Sequence, residues 1–153
     1  MSQFCDEVVK ISGLVPGDCR PGLQALNPAD RQRVICQDTR SLEGSICLDD
    51  ALKKMYPQAP RWDYGVGLEK EQKVLAIWVE VHPARSGGDV QSLLAKAHWL
   101  KARLQESPKL QSMTQKPFHW VASGTVKIPK TGSWRRQLSQ NGIRFPRQRL
   151  RLP

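Results

Sequence analysis

Hydrophobic and polar residues alternate with a period of two in two neighbouring stretches of the chain, which is the pattern of β-strands. The first stretch, at 62–68, has one bulky face, while its other face carries Gly65 and Gly67. The second stretch lies at 74–82, and a polar turn at 69–73 separates the two. We therefore expect the two strands to form an antiparallel hairpin.

The two faces of the second strand differ in chemistry. One face is entirely aliphatic and we expect it to point into the core; it consists of Leu75, Ile77, Val79 and Val81. The other face begins apolar and ends with an acid beside an imidazole; it consists of Ala76, Trp78, Glu80 and His82. We expect the Glu80 carboxylate to point away from the aliphatic core.

Apolar residues recur with a helical period over 89–105, which predicts the longest helix of the chain. Weaker patterns predict a short helix at 48–56, a strand at 118–128, a short helix at 133–138 and an extended segment at 143–152. The resulting order is helix, strand, strand, helix, strand and a basic C-terminal extension. We predict an α/β fold in which helices flank a central mixed β-sheet.

The whole chain has the length of one domain. Residues 1–44 are rich in glycine and proline, and we expect an irregular arm with a short helix at about 28–36. A core at 45–128 and a basic extension at 129–153 follow. The four cysteines, Cys5, Cys19, Cys36 and Cys47, show no metal-binding spacing, and we interpret them as free thiols.

The net charge of +10 lies entirely in the last third of the chain. Residues 107–153 contain ten lysines and arginines and no acid. Such a block favours nucleic acid, DNA or RNA, over a merely solvated tail. The candidate contacts are Arg135, Arg136, Arg144, Arg147, Arg149 and Arg151, of which the last three alternate on one face of the extended segment. Trp134, next to two arginines, is a candidate for stacking on a base.

The apolar runs are too short to cross a bilayer, and the N-terminus lacks the features of a signal peptide. We therefore expect a cytoplasmic protein with no membrane partner. A protein partner for the basic segment remains an alternative to nucleic acid.

Acidic residues gather where the hairpin strands begin and end. In an antiparallel hairpin Asp63 and Glu80 are neighbours, and Asp50 or Asp49 on the preceding helix could join them. Neighbouring carboxylates repel each other, and a divalent cation such as Mg²⁺ or Mn²⁺ relieves that repulsion. We expect Gly65 and Gly67, on the face of Asp63, to leave room for a substrate.

These residues resemble the core of the PD-(D/E)XK nuclease-like superfamily over roughly residues 45–128. The resemblance implies that Asp50, Asp63 and Glu80 hold a metal ion during phosphodiester hydrolysis. The lysine of the family's E-x-K motif is replaced here by His82. Lys96 or Lys101 from the following helix could replace it, and we prefer Lys101 because it projects into the apolar stripe.

Two hypotheses follow for the function. The chain is either a metal-dependent nuclease or a catalytically inactive nuclease-like fold that binds nucleic acid or a protein. In the first, Asp63, Glu80, His82 and a helix lysine form the catalytic site. Each acid also has a structural interpretation: Asp50 and Asp49 suit a helix's first turn, and Asp63 could pair with Arg61.

Overall fold

The computed structural model describes residues 2–153 and contains a six-stranded mixed sheet flanked by helices. The helices are α1 (Gln3–Val8), α2 (Pro28–Arg31), α3 (Leu48–Ala51), α4 (Gly87–Leu104), α5 (Pro108–Met113) and α6 (Ser133–Gln140). The strands are β1 (Cys19–Arg20), β2 (Val34–Ile35), β3 (Leu42–Cys47), β4 (Tyr64–Lys70), β5 (Lys73–His82), β6 (Phe118–Ala122), β7 (Ile143–Arg147) and β8 (Leu150–Arg151). The predicted α/β fold with a mixed central sheet is confirmed.

The strand order of the sheet is β1-β3-β4-β5-β6-β7. The first four strands are antiparallel to their neighbours, whereas β5, β6 and β7 run parallel. Parallel neighbours need a crossover, and α4 with α5 provides the one between β5 and β6. In the described residues, no helix is long and apolar enough to span a membrane.

Both faces of the sheet are covered, so the core has two halves. The larger half lies between the sheet and the helices, and its sheet residues include Trp78 and Trp120. The smaller half lies on the opposite face, where Ile77 and Val79 pack beneath the chain around Leu26 and beneath a two-stranded sheet of β2 and β8. The aliphatic face of β5 therefore points into the smaller core, and the Trp78 face into the larger one.

The two glycines of β4 make room for core aromatic side chains. A Cβ atom at Gly65 would collide with the Trp78 ring, and one at Gly67 would collide with Phe4. Phe4 and Trp78 are themselves fully buried, with ring centroids 6.3 Å apart. The expectation that this bare face accommodates a substrate is therefore wrong, because the protein fills the space itself.

The N-terminal segment that we expected to be an irregular arm is part of the fold. Helix α1 inserts Phe4 into the larger core, and β1 pairs with β3 at the edge of the sheet. This arrangement brings Cys5 and Cys19 together in a disulfide, with their Cα atoms 5.6 Å apart. The prediction of four free thiols is wrong for this pair, since α1, which carries Cys5, and β1, which carries Cys19, both contact β3.

The C-terminal segment does not form one extended strand. Strand β7 ends at Arg147, and β8 leaves the central sheet to pair with β2. The predicted strand at 118–128 likewise ends at Ala122. Loop residue Lys127 then donates its backbone N–H to the carbonyl of Ala84 at 2.8 Å, which holds this loop against the chain after β5.

We expect Gly67→Ala to destabilise the protein by about 1–3 kcal/mol, because the added methyl overpacks the site beside Phe4. Gly124→Ala is the matched control, since a Cβ atom there meets no atom within 4 Å. Urea denaturation measures both changes. Equal midpoints for the two variants would contradict the described packing of α1 on β4.

Candidate active site

Glu80 is a fully buried carboxylate at the end of the Trp78 face of β5. A buried carboxylate is costly unless donors satisfy its oxygens. Here the backbone N–H of Asp63 donates to Oε1 at 2.9 Å, and the ammonium of Lys96 donates to Oε2 at 2.6 Å. Glu80 thus holds together the start of β4, the end of β5 and helix α4.

Lys96 reaches Glu80 because it lies on the side of α4 that faces the sheet. It follows Leu93 by three residues and precedes Leu100 by four, and both leucines are fully buried. Its side chain keeps 23% of its surface exposed, so the ammonium is at the border between core and solvent. The helix therefore supplies a cation beside the acid of β5.

Lys101, the lysine that we preferred from the sequence, lies elsewhere. It is exposed and donates to the carbonyl oxygen of Asn141 at 2.7 Å, near the C-terminal end of α6. Its ammonium also lies 5.9 Å from the ring centroid of Phe118. The preference for Lys101 over Lys96 is wrong, because Lys101 is nearly one and a half helical turns further along α4.

Asp63 and Glu80 are held by reciprocal hydrogen bonds across the hairpin. While Asp63 donates its N–H to Glu80, its own Oδ2 accepts the N–H of Val81 at 3.0 Å. The carbonyl of Asp63 also accepts the N–H of Leu48 at 2.7 Å, which fixes α3 beside the start of β4. The two acids therefore lie together at one end of the hairpin, as the antiparallel pairing requires.

The three charged groups shift one another's proton affinities. Burial raises the pKa of Glu80, and Asp63 raises it further, while Lys96 opposes both effects. Burial alone would lower the pKa of Lys96, but the attraction of Glu80 raises it above its ordinary value. Both oxygens of Glu80 face donors, so the geometry fits an ionised carboxylate paired with an ammonium.

The carboxyl of Asp63 is less buried than that of Glu80, and its pKa rises less. Burial raises the pKa of Asp63 to about 6, although Lys96 and the N–H of Val81 oppose the increase. Asp63 is therefore the group of this cluster that titrates in the mildly acidic range.

His82 lies on the same face of β5 as Glu80, two residues further along the strand. Burial, and then the charge of Lys96, lowers the pKa of His82, so the imidazole is neutral at pH 7. Its Nε2 is 3.9 Å from Oδ1 of Asp89, which is engaged by Arg85. His82 can thus accept a proton near the cluster, but it does not replace the permanent charge of a lysine.

Asp50 does not join Glu80. It is exposed in the first turn of α3, while Asp49 pairs with Arg61 at 3.0 Å. Asp49, Asp50 and Asp63 line a shared surface cavity of about 370 Å³, which Glu80 does not line. Across residues 2–153, no three histidine, cysteine or acidic side chains form a group that could hold a metal ion.

The six candidate arginines divide into separate surfaces. Arg135, Arg144 and Arg147 line a groove of about 670 Å³ along β7, together with Lys130. Arg136 and Arg149 are exposed outside this groove. The expectation that Arg147, Arg149 and Arg151 share one strand face is wrong, because β7 ends at Arg147 and Arg151 belongs to β8.

Sequence reasoning missed two members of this groove, Lys130 and Phe145. The guanidinium of Arg135 lies over the Phe145 ring, 5.5 Å from its centroid. An aromatic residue within a basic segment could have identified Phe145, because bases stack on such rings. Trp134, the residue proposed for stacking, instead lies where a Cβ atom at Gly87 would be, and it packs against the larger core.

The acidic cluster and the basic groove lie at the same edge of the sheet. His82 pairs in register with Ala122, and Val121 pairs with Arg147, so the carboxyl ends of β5, β6 and β7 align. Strand spacing places the ends of β5 and β7 about 10 Å apart. Ligands of open α/β sheets commonly bind at this edge.

No family model matches this chain, and neither the search of curated proteins nor the search of solved structures finds a match.

We expect Lys96→Met to destabilise the protein by about 3–5 kcal/mol, because it leaves the buried Glu80 carboxylate without its counter-charge. Lys101→Met makes the same change on an exposed part of the same helix and should have little effect. Chemical denaturation at pH 7 compares the two variants. A Lys96→Met protein as stable as Lys101→Met would contradict a buried, ionised pair.

Asp63 should make stability depend on pH. Because its pKa is about 6 in the folded protein and its ordinary value is 3.8, ionisation of Asp63 costs stability as the pH rises from about 4 to 6. Asp63→Asn keeps an acceptor for the Val81 N–H and removes this cost. Thermal melts in metal-free buffer should therefore show that the melting temperature of the variant rises relative to that of the parent between pH 4 and pH 7. A melting temperature of the variant that falls relative to that of the parent over this pH interval would contradict the raised pKa of Asp63.

Proposed function

We propose that this chain is a metal-dependent nuclease with a PD-(D/E)XK-like site formed by Asp63, Glu80 and Lys96. The observation that carries the proposal is the 2.6 Å contact between Lys96 Nζ and Glu80 Oε2. Lys96 thereby supplies, from helix α4, the positive charge that is absent from the strand motif, where His82 occupies the lysine position. The two acids and the lysine thereby lie together at one end of the hairpin.

The donor set suits Mg²⁺ or Mn²⁺. Mg²⁺ is commonly bound by one or two carboxylates, with water and substrate phosphate completing its ligands. Asp63 and Glu80 would hold the ion, and Asp50 could contribute only through the neighbouring cavity that it shares with Asp63. When bound, such an ion would neutralise phosphate charge and activate water for attack on phosphorus.

The residues of the chain have separate tasks in this proposal. Lys96 orients the Glu80 carboxylate with one N–H, and its two other N–H groups can donate to water or to a phosphate oxygen. His82 is neutral at pH 7 and can accept a proton from water on the same face of β5. The groove with Arg135, Arg144 and Arg147 would bind the phosphate backbone of DNA or RNA at the same sheet edge.

The alternative is a nuclease-like fold that binds nucleic acid without cleaving it. One observation favours it: Glu80 is fully buried, and each of its oxygens already accepts a hydrogen bond from the protein. A carboxylate satisfied in this way is stable without any ion. The basic groove would then carry the function by itself.

The Glu80→Gln variant distinguishes the two functions. If the site is catalytic, the parent should bind Mn²⁺ in a calorimetric titration and cleave labelled DNA or RNA, and the variant should lose both properties. Binding of nucleic acid through the groove, measured by fluorescence anisotropy in EDTA, should change less than twofold.

Lys101→Met serves as the control for Lys96→Met in the same cleavage assay. We expect Lys96→Met to reduce cleavage at least 100-fold and Lys101→Met to leave it unchanged, since Lys101 contacts Asn141 and the Phe118 ring rather than Glu80. A parent that binds no divalent ion at millimolar concentration, even with nucleic acid present, would overturn the nuclease proposal in favour of the alternative.

A further inference from the structure

The face of the sheet opposite Glu80 has a further cavity of about 300 Å³, which shares Arg144 and Arg147 with the β7 groove. It lies beside β6 and β7, between the chain before β6 and the C-terminal segment. Its charged lining residues are all basic: Lys116, Arg144, Arg147 and Arg151. None of its lining side chains is acidic.

His119 lies against this cavity and is more than nine-tenths buried, with 8% of its surface exposed. Its register partner across the parallel strands is Arg144, so both side chains leave the sheet on the same face. Among the described residues, no hydrogen bond joins the His119 imidazole to another group. His119 is itself one of the residues that line the cavity.

Within the described part of the chain, the cavity has no acidic side chain to balance its cations and no hydrogen-bond partner for the His119 imidazole. Burial lowers the pKa of His119 to about 4, and Arg144 and Arg147 contribute to the decrease. The imidazole therefore stays neutral and keeps one N–H donor, while the surrounding cations repel one another. An anion with several acceptor oxygens would satisfy the imidazole and reduce that repulsion.

We propose that the pocket formed by Lys116, His119, Arg144, Arg147 and Arg151 binds a phosphate monoester, the terminal phosphate of a nucleic-acid strand. A monoester carries a charge of about −1.5 to −2 at pH 7 and three acceptor oxygens, whereas a backbone diester carries only one charge. Four cationic side chains, with no acidic side chain in the lining, match the higher charge. The identification of a strand end rests on the proposed function, whereas the recognition of a monoester does not.

The test measures binding of three labelled single-stranded oligonucleotides of one sequence in EDTA, by fluorescence anisotropy. One carries a 5′-phosphate, one a 3′-phosphate, and one has hydroxyl groups at both ends. We expect one of the phosphorylated strands to bind at least tenfold more tightly than the hydroxyl strand. Equal affinities for all three would overturn the proposal.

Two double variants distinguish binding in this pocket from a general effect of positive charge on affinity. The variant Lys116→Gln/Arg151→Gln removes two cations that line this pocket but not the β7 groove, and it should reduce the preference to less than twofold. The control Lys130→Gln/Arg135→Gln removes two cations that line the groove but not the pocket, and should retain the preference. Equal loss in both variants would overturn the assignment to this pocket.

His119→Phe tests the imidazole with little change in net charge or volume. We expect it to weaken the preference for the phosphorylated strand at least threefold, because the phenyl ring keeps the packing of the imidazole but lacks its N–H donor. An unchanged preference would show that His119 takes no part.

Competition by inorganic phosphate distinguishes a strand end from a free anion. We expect phosphate to displace the phosphorylated strand only at a concentration at least 100-fold above that strand's dissociation constant. Displacement at equal concentrations would overturn the assignment to a strand. All these measurements omit divalent ions, so they depend neither on metal binding nor on cleavage, and a failure of the nuclease proposal leaves their result intact.

Discussion

The buried carboxylate of Glu80 is the constraint on which the arrangement of the candidate site depends. A fully buried charge persists only where donors reach it, and here those donors come from two other elements. The N–H of Asp63 requires the start of β4 to lie beside the end of β5. The ammonium of Lys96 requires α4 to turn one particular side toward the sheet. One acid thus fixes the hairpin and the rotation of the longest helix together.

The sheet also places the acidic cluster and most of the C-terminal basic residues on different strands. Alternation along β6 sends Trp120 into the larger core and His119 to the other face, where the cations of the second pocket gather. The acids lie across the hairpin end, while the arginines lie on and around β7, the last strand of the sheet. Strand β7 is the outermost strand of the sheet. The basic groove and the basic pocket, which lie on different faces of the sheet, therefore both contact this strand.

The sequence predicts the elements of the sheet better than it predicts what covers their faces. The alternation at 74–82 predicts β5 to within one residue, but it does not show that Glu80 is buried. A central strand with parallel pairing is covered on both sides, so an acid on either face meets the core. The space beside Gly67 is filled by Phe4 of the distant helix α1, whereas Trp78 of the neighbouring strand β5 fills the space beside Gly65.

The choice between the two lysines could have been made from geometry. A helix that follows β5 runs back over the sheet, so residues earlier in the helix lie nearer the carboxyl end of that strand. Lys101 is about 7.5 Å further along the axis than Lys96, which takes it away from Glu80. The disulfide, by contrast, depends on the pairing of β1 with β3, and nothing in the spacing of Cys5 and Cys19 predicts it.

The charge balance of the cluster bears on how the proposed site would bind an ion. Asp63 and Glu80 each contribute one negative charge when ionised, and Lys96 returns one positive charge, so the net charge is −1. A divalent cation alone would leave the site positive and would be repelled by the ammonium beside it. A phosphodiester supplies the missing negative charge. In the proposed nuclease, ion and nucleic acid would therefore bind more tightly together than either does alone, and the positive charge of Lys96 would be the reason.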